Sequence, residues 1–259
     1  MVVVIVGEFL GTFLFLFLAF VAAQTALNTQ AQTDVPNQNG QAEGRGSSPL
    51  LPLSFLYIAA AFGTSLAINV WVFYRVSGGM FNPAVTLGLL LVGVIRPASA
   101  AMIIPTQIVA SIAAAAVVDG IIPGPLTVNN RLTNNTSVVQ GFFLETFLTA
   151  QLVLTIYFLA VEKHRATFLA PIGIGMSAFI AHLAGTPYTG TSINPVRSFG
   201  PDVITGFVGY HWIFWVAPCF GAVLAFGVYK LMKWMDYEDV NGGQDAADVE
   251  AAREDQADY

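Results

Sequence analysis

Two carboxylates lie where ionised groups are expensive. Glu8 sits in an apolar stretch spanning 2–23, and Glu145 in another spanning 138–161. A carboxylate in such surroundings needs partners. The pair can form a proton relay, as in coupled transporters. Alternatively, each can accept hydrogen bonds from the backbone N–H groups of a nearby loop and fix its shape. A second candidate is a repeated dipeptide, in Asn82-Pro83-Ala84 and Asn194-Pro195-Val196, each followed by helix-forming residues. Asn is a good N-cap, and Pro suits the first helical position because its missing N–H would go unused there. Each dipeptide therefore predicts a helix start, which presents partial positive charge. Arg197 follows the second one in a loop otherwise poor in basic residues. A buried Arg with no task would be costly. A lone His182 or Phe62 in an apolar run reads first as packing. There is no nucleophile–base pair and no His/Cys cluster, so an enzyme is the least favoured reading and neither metal nor cofactor is expected. The lone Cys219 excludes an intrachain disulfide.

The elements that must position these residues follow from composition. Of 259 residues, 55% are hydrophobic and only 10% charged, against about a quarter charged in soluble domains. The charges are segregated into short polar breaks. Much of the net charge of -6 lies in 236–258, and no basic surface suited to nucleic acid remains. A spanning helix needs about 20 apolar residues. Six runs qualify: 2–23, 50–74, 98–118, 138–161, the shorter 167–183, and 207–232. Residues 24–49 form a polar loop, and 236–259 an acidic tail expected to lack structure. With an even number of spans, Arg75, Arg96, Lys163, Arg165, Lys230, Lys233 and Arg253 share one side. The other side holds only Arg45 and Arg131, apart from Arg197. The basic excess puts both termini in the cytoplasm. The overlapping glycosylation sequons at Asn134 and Asn135 then lie outside, and the plasma membrane is expected over an internal one.

The two halves match. Glu8 and Glu145 each sit early in a span with Thr four residues on, at Thr12 and Thr149. Each half holds three spans, with a short Asn-Pro segment, 79–94 or 189–204, between its second and third. Three spans per half invert the second copy. Inverted repeats with short broken helices are a mark of transport proteins. One Asn-Pro would read as an ordinary turn; two at matched places do not.

Three stretches carry a resemblance: Gly78-Gly79-Met80-Phe81-Asn82-Pro83-Ala84-Val85-Thr86, Asn194-Pro195-Val196-Arg197-Ser198-Phe199-Gly200-Pro201, and His211-Trp212-Ile213-Phe214-Trp215-Val216-Ala217-Pro218. They resemble the signature boxes and sixth helix of the major intrinsic proteins, the aquaporins and glycerol facilitators. The resemblance runs from Val2 to about Trp234. Members usually carry a tail before the first span, and this sequence starts at it. The fold implied is an all-α membrane protein with six transmembrane helices and two re-entrant half-helices in an inverted repeat. The channel domain would be 1–235, with repeats at 1–119 and 138–235.

The resemblance further implies that Asn82 and Asn194 donate to a passing water and that Phe62, His182, Thr191 and Arg197 form a narrow filter. Glu8 and Glu145 would support the pore loops, and four copies would assemble in the bilayer, each with its own pore. Ser198, where glycerol facilitators usually carry Asp, and Trp215 favour water as the permeant. Val196 departs from the usual Ala and should alter selectivity little. Asp202 stands where water-selective members often have a small residue. It is expected to bond loop backbone or face the outer vestibule. Thr191 occupies the place of a mercury-reactive Cys. Ser99, in Arg96-Pro97-Ala98-Ser99, resembles a kinase site. Ser99 and His164 are candidates for regulating a cytoplasmic gate, weighed against an ordinary exposed loop. The rivals are a glycerol or small-solute facilitator, a proton-coupled transporter through Glu8 and Glu145, and a non-conducting scaffold.

Overall fold

The computed structural model describes residues 1–33, 52–163 and 166–240, with side chains of the first helix described through Thr29. Eight α-helices order these residues: α1 Val2–Thr33, α2 Pro52–Phe73, α3 Pro83–Leu91, α4 Pro97–Ile121, α5 Val138–Ile156, α6 Ala170–Thr189, α7 Pro195–Thr205 and α8 Ile213–Trp234. Six helical stretches are long and apolar enough to cross a membrane; α3 and α7 are too short. The protein is all-α, with the expected long and short elements in the expected order. His164 lies outside the described residues.

Two boundaries differ from expectation for identifiable reasons. The loop expected from residue 24 is helical as far as Thr33. Its polar side chains continue the helix because they dock on the segment after α4. Buried Gln24 donates to Pro125 O at 3.2 Å and accepts from Thr127 N at 2.9 Å, and Asn28 donates to Pro123 O at 2.9 Å. The fifth span runs on to Thr189, where Gly190 closes it in a left-handed turn at φ 77°. His182 is therefore interior to α6 rather than at its end.

Packing repeats with the sequence. α1 lies on α2 and α4, as α5 lies on α6 and α8. Each half-helix packs most extensively on a helix of the other repeat, α3 on α8 and α7 on α4. α2 and α6 form the most extensive pair, where the two repeats meet. Apolar surface against lipid supplies little drive for association, so helices in a membrane depend on close approach. A Cβ added at Gly175 would stand 2.5 Å from Gly63 O, and one at Gly63 would stand 2.8 Å from Gly175 O. At Gly221 an added Cβ would collide with Thr146 O, and at Gly11 with the Phe81 ring. Gly227 is different: among the described residues nothing lies within 4 Å of such a Cβ. Pro105 and Pro218 stand inside α4 and α8.

Candidate functional site

The site begins at two helix starts that face one another. Asn82 and Asn194 are extended N-caps at φ -154° each, and their Oδ1 atoms accept from Ala84 N at 2.8 Å and Val196 N at 3.1 Å. Each side-chain amide then crosses to the other repeat. Asn82 Nδ2 donates to Ile193 O at 2.8 Å, and Asn194 Nδ2 to Phe81 O at 2.9 Å. A primary amide has two N–H groups, so one remains on each Asn. Both residues line a cavity of about 360 Å³.

The loops before these caps are bent in matching ways. Gly79 and Thr191 have φ 66° and 53°, and Phe81 and Ile193 have φ 51° and 45°. A left-handed backbone at Phe, Thr or Ile costs on the order of 1–2 kcal/mol per residue and persists only when surroundings enforce it. The two carboxylates do so. Glu8 accepts from Ser77 Oγ at 2.7 Å, Met80 N at 3.0 Å, Phe81 N at 2.9 Å and Gln107 Nε2 at 2.9 Å. Glu145 accepts from Thr189 Oγ1 at 2.5 Å and from Ser192 N and Ile193 N at 2.8 Å each. Both carboxylates are fully buried, and every one of these contacts is a donor pointed at an acceptor. Such an arrangement fixes a loop, and neither residue is among those lining the cavity. Ser77 and Thr189 have the same spacing from their Asn as each other, so aligning the repeats residue by residue identifies them; Gln107 has no such signal.

At one end the cavity reaches Tyr74, Val94 and Lys163; at the other it reaches Phe62, His182 and Arg197. Its walls between are apolar, with Val70, Leu152, Ile156 and Ile174. Phe62 and His182 stack with centroids 4.0 Å apart and planes 22° apart. The rings touch, so passage between them requires one to move. The Arg197 guanidinium lies 4.9 Å from the Phe62 ring and 5.6 Å from that of Phe20. Phe20, in a Phe-rich helix, carries nothing in sequence to single it out. Arg197 Nη1 donates to Val128 O at 2.7 Å and Nη2 to Gly190 O at 3.4 Å, while Nε has no partner among the described residues. Thr191 is brought near the other three, but its hydroxyl turns towards α6. It lies 3.2 Å from Thr186 Oγ1, which in turn lies 3.4 Å from His182 Nδ1.

Beyond Phe62, His182 and Arg197 stands a group of charges that the sequence does not foretell. Asp202 is fully buried and meets three side chains: Asn129 Nδ2 at 2.6 Å, Arg131 Nη1 at 2.7 Å and His211 Nδ1 at 2.7 Å. Among the described residues it bonds side chains rather than loop backbone, and it does not face open solvent, contrary to both expectations. Burial alone would raise its carboxyl, but these three hydrogen bonds and the Arg131 charge together hold it below its ordinary value. Trp215 Nε1 donates to His211 Nε2 at 3.2 Å. His211 is thus an acceptor at Nε2 and presents N–H at Nδ1 to Asp202. Ser198 Oγ donates to Asn130 Oδ1 at 2.8 Å.

The remaining candidates lie apart from the pore. Ser99 is half-buried in the first turn of α4. Asn134 and Asn135 are exposed in a left-handed turn at φ 51° and 58°. Asn134 Nδ2 donates to Pro187 O at 2.7 Å.

Residues 2–229 match the family model described as Major intrinsic protein. The chain is 60% identical over 243 residues to Aquaporin-1 of Gibberella zeae, covering 94% of this chain and 73% of that one. It is 51% identical to Aquaporin-7 of Botryotinia fuckeliana, covering 94% of this chain and 52% of the relative. The chain thus spans about three quarters of the first relative's length and about half of the second's. Among solved structures, the aquaglyceroporin from Plasmodium falciparum shares the fold at a TM-score of 0.66 and 20% identity, over 87% of this chain and 95% of that chain.

Proposed function

The chain belongs to the major intrinsic protein family, and we propose that within it this protein is a passive water channel that excludes protons, ions and glycerol. The observation that carries the reading is the contact of Phe62, His182 and Arg197 at one end of the cavity. With the two rings in contact beside a guanidinium, a water needs a smaller ring displacement to pass than a three-carbon polyol does. Arg197 supplies donors and positive charge at the end of the cavity.

The path is lined mostly by apolar side chains, which give a water file few places to bind. At its centre the second N–H groups of Asn82 and Asn194 donate to one water oxygen. With its lone pairs so occupied, that water points both hydrogens along the file. Hydrogen bonds then run outwards in both directions, and a proton cannot hop through. The positive ends of α3 and α7, together with Arg197, add an electrostatic barrier to cations, a device for which aquaporins are the standard example. Glu8 and Glu145 act through the shape of the two loops rather than by carrying protons. Both termini are assigned to the cytoplasm, and the working unit is a homotetramer with one pore per subunit.

The test is stopped-flow light scattering on proteoliposomes, with sucrose and glycerol gradients compared for the same preparation. The unaltered protein is expected to give fast shrinkage without glycerol re-entry. Arg197→Val and His182→Ala are expected to admit glycerol. Fast glycerol entry in the unaltered protein would make it a facilitator instead. Uptake that saturates and follows a proton gradient would make it a coupled transporter.

A further inference from the structure

We propose that Asp202 is a positioning residue for the filter, holding the 122–137 segment through Asn129 and Arg131 so that the Val128 carbonyl fixes Arg197. The inference rests on the water-channel reading for its functional consequence, and on geometry alone for the contact it describes.

A buried carboxylate is costly unless closely matched by donors, and a plain tie between two helices would need no charge. Asp202 is fully buried on α7, and its Oδ1 is taken wholly by one loop, through Asn129 Nδ2 at 2.6 Å and Arg131 Nη1 at 2.7 Å. Those residues lie one and three positions after Val128. Val128 O receives the short 2.7 Å bond from Arg197, whereas the other guanidinium bond, to Gly190 O, is 3.4 Å. Val128 is therefore the contact that aims the filter arginine.

The same loop is pinned again over the far end of α7. Arg131 Nη2 donates to Gly206 O at 3.1 Å, and Asn129 Nδ2 lies 2.5 Å from Thr205 Oγ1. The segment thus spans α7 from Arg197, near its start, to Gly206 at its close. His211 Nδ1, at 2.7 Å from Oδ2, orients the carboxylate from the side of α8. A separate anchor, Asn130 to Ser198 Oγ at 2.8 Å and Thr189 O at 3.1 Å, keeps the loop folded when Asp202 is changed. Losing Asp202 then lets Val128 drift without unfolding the loop. Small misplacement of an orienting group can cost a site one to two orders of magnitude in performance.

The experiment uses the full chain in proteoliposomes, with Asp202→Asn and Arg131→Ala each made alone and on an Arg197→Val background. Thermal melting establishes that each is folded. The reading is the ratio of glycerol to water permeability. Each single variant is expected to raise this ratio about tenfold. Asp202→Asn is expected to add nothing on the Arg197→Val background, because both act through one guanidinium. An unchanged ratio in folded single variants overturns the proposal, and so does an additive effect on that background. If Asp202→Asn does not fold, Arg131→Ala, whose side chain is 31% exposed, carries the test. A structure of whichever variant folds supplies a reading independent of transport. Separation of Val128 O from Arg197 Nη1 beyond hydrogen-bond reach supports the proposal, and retention of the 2.7 Å contact overturns it. An unaltered protein that passes no water, or passes glycerol equally fast, sinks the water-channel reading; the positioning role is then decided by that structure.

Discussion

Glu8 gathers four donors around two oxygens, and that count determines what a substitution does. In Glu8→Gln one oxygen becomes an NH2 facing other donors, so about half the contacts are lost and buried N–H groups are left unpaired. Each such group costs about 1–3 kcal/mol, and the strained backbone at Phe81 loses its support. The variant is expected to melt markedly lower and to lose most water permeability per folded channel. A proton relay would behave differently, since Glu8→Gln would leave folding intact and abolish only coupled uptake. A second expectation concerns Asp202. Its carboxyl is held below the ordinary value of 3.8. Its stabilising effect is therefore complete above the unfolded value and is lost as pH falls through the lower folded one. The gap in melting temperature between the parent and Asp202→Asn should therefore still be present at about pH 5 and be lost only below about 4. A gap that closes by pH 6 would contradict this. At this scale the sequence is legible where chemistry is repeated. Asn82, Asn194, Glu8 and Glu145 announce themselves in pairs, whereas Phe20 and Gln107 act through three-dimensional neighbours that no spacing encodes.

Helix packing separates glycines that look alike in sequence. Gly175 and Gly227 both lie in apolar helices, yet among the described residues the first meets backbone and the second meets nothing within 4 Å. Gly175→Ala must push α6 away from α2, and an overpacked contact of this kind costs about 1–3 kcal/mol. Gly227→Ala is expected to be neutral or slightly stabilising, since Ala favours helix over Gly by about 1 kcal/mol. Thermal melting of the two purified variants in detergent checks the contrast, and equal effects would refute the packing assignment. Element existence was legible from runs of apolar residues, because a membrane span needs little else. Element ends were not. α1 continues through Gln24 and Asn28 because distant carbonyls at Pro125 and Pro123 receive their amides. α6 continues through Pro187 until Gly190 can turn.

At the scale of the molecule, the inverted repeat visible in sequence extends to every major helix contact, and the fold was legible almost entirely from it. Orientation rests on basic residues and can be read through the sequons. Asn134 has its Nδ2 engaged with Pro187 O, whereas the Asn135 side chain has no hydrogen-bond partner among the described residues. In a glycosylating host, a mobility shift is expected that Asn135→Gln removes and Asn134→Gln leaves. A shift removed by Asn134→Gln alone would contradict this choice of site, and no shift in the parent would withdraw support for the orientation.

The exchange of amides between Asn82 and Ile193, and between Asn194 and Phe81, bears on how the molecule comes into being. All the ligands of Glu8 lie between Ser77 and Gln107, and all those of Glu145 between Thr189 and Ile193. Each half can thus shape its own loop before the other is present, whereas the exchanged amides, the α2–α6 seam and the packing of α3 on α8 and of α7 on α4 wait for both. The polypeptide is in this sense a covalent dimer with a two-fold, self-complementary interface, and its last step of assembly resembles association more than folding. Two halves divided within 122–137 and made together should therefore find one another, with the seam at Gly63 and Gly175 deciding whether they do.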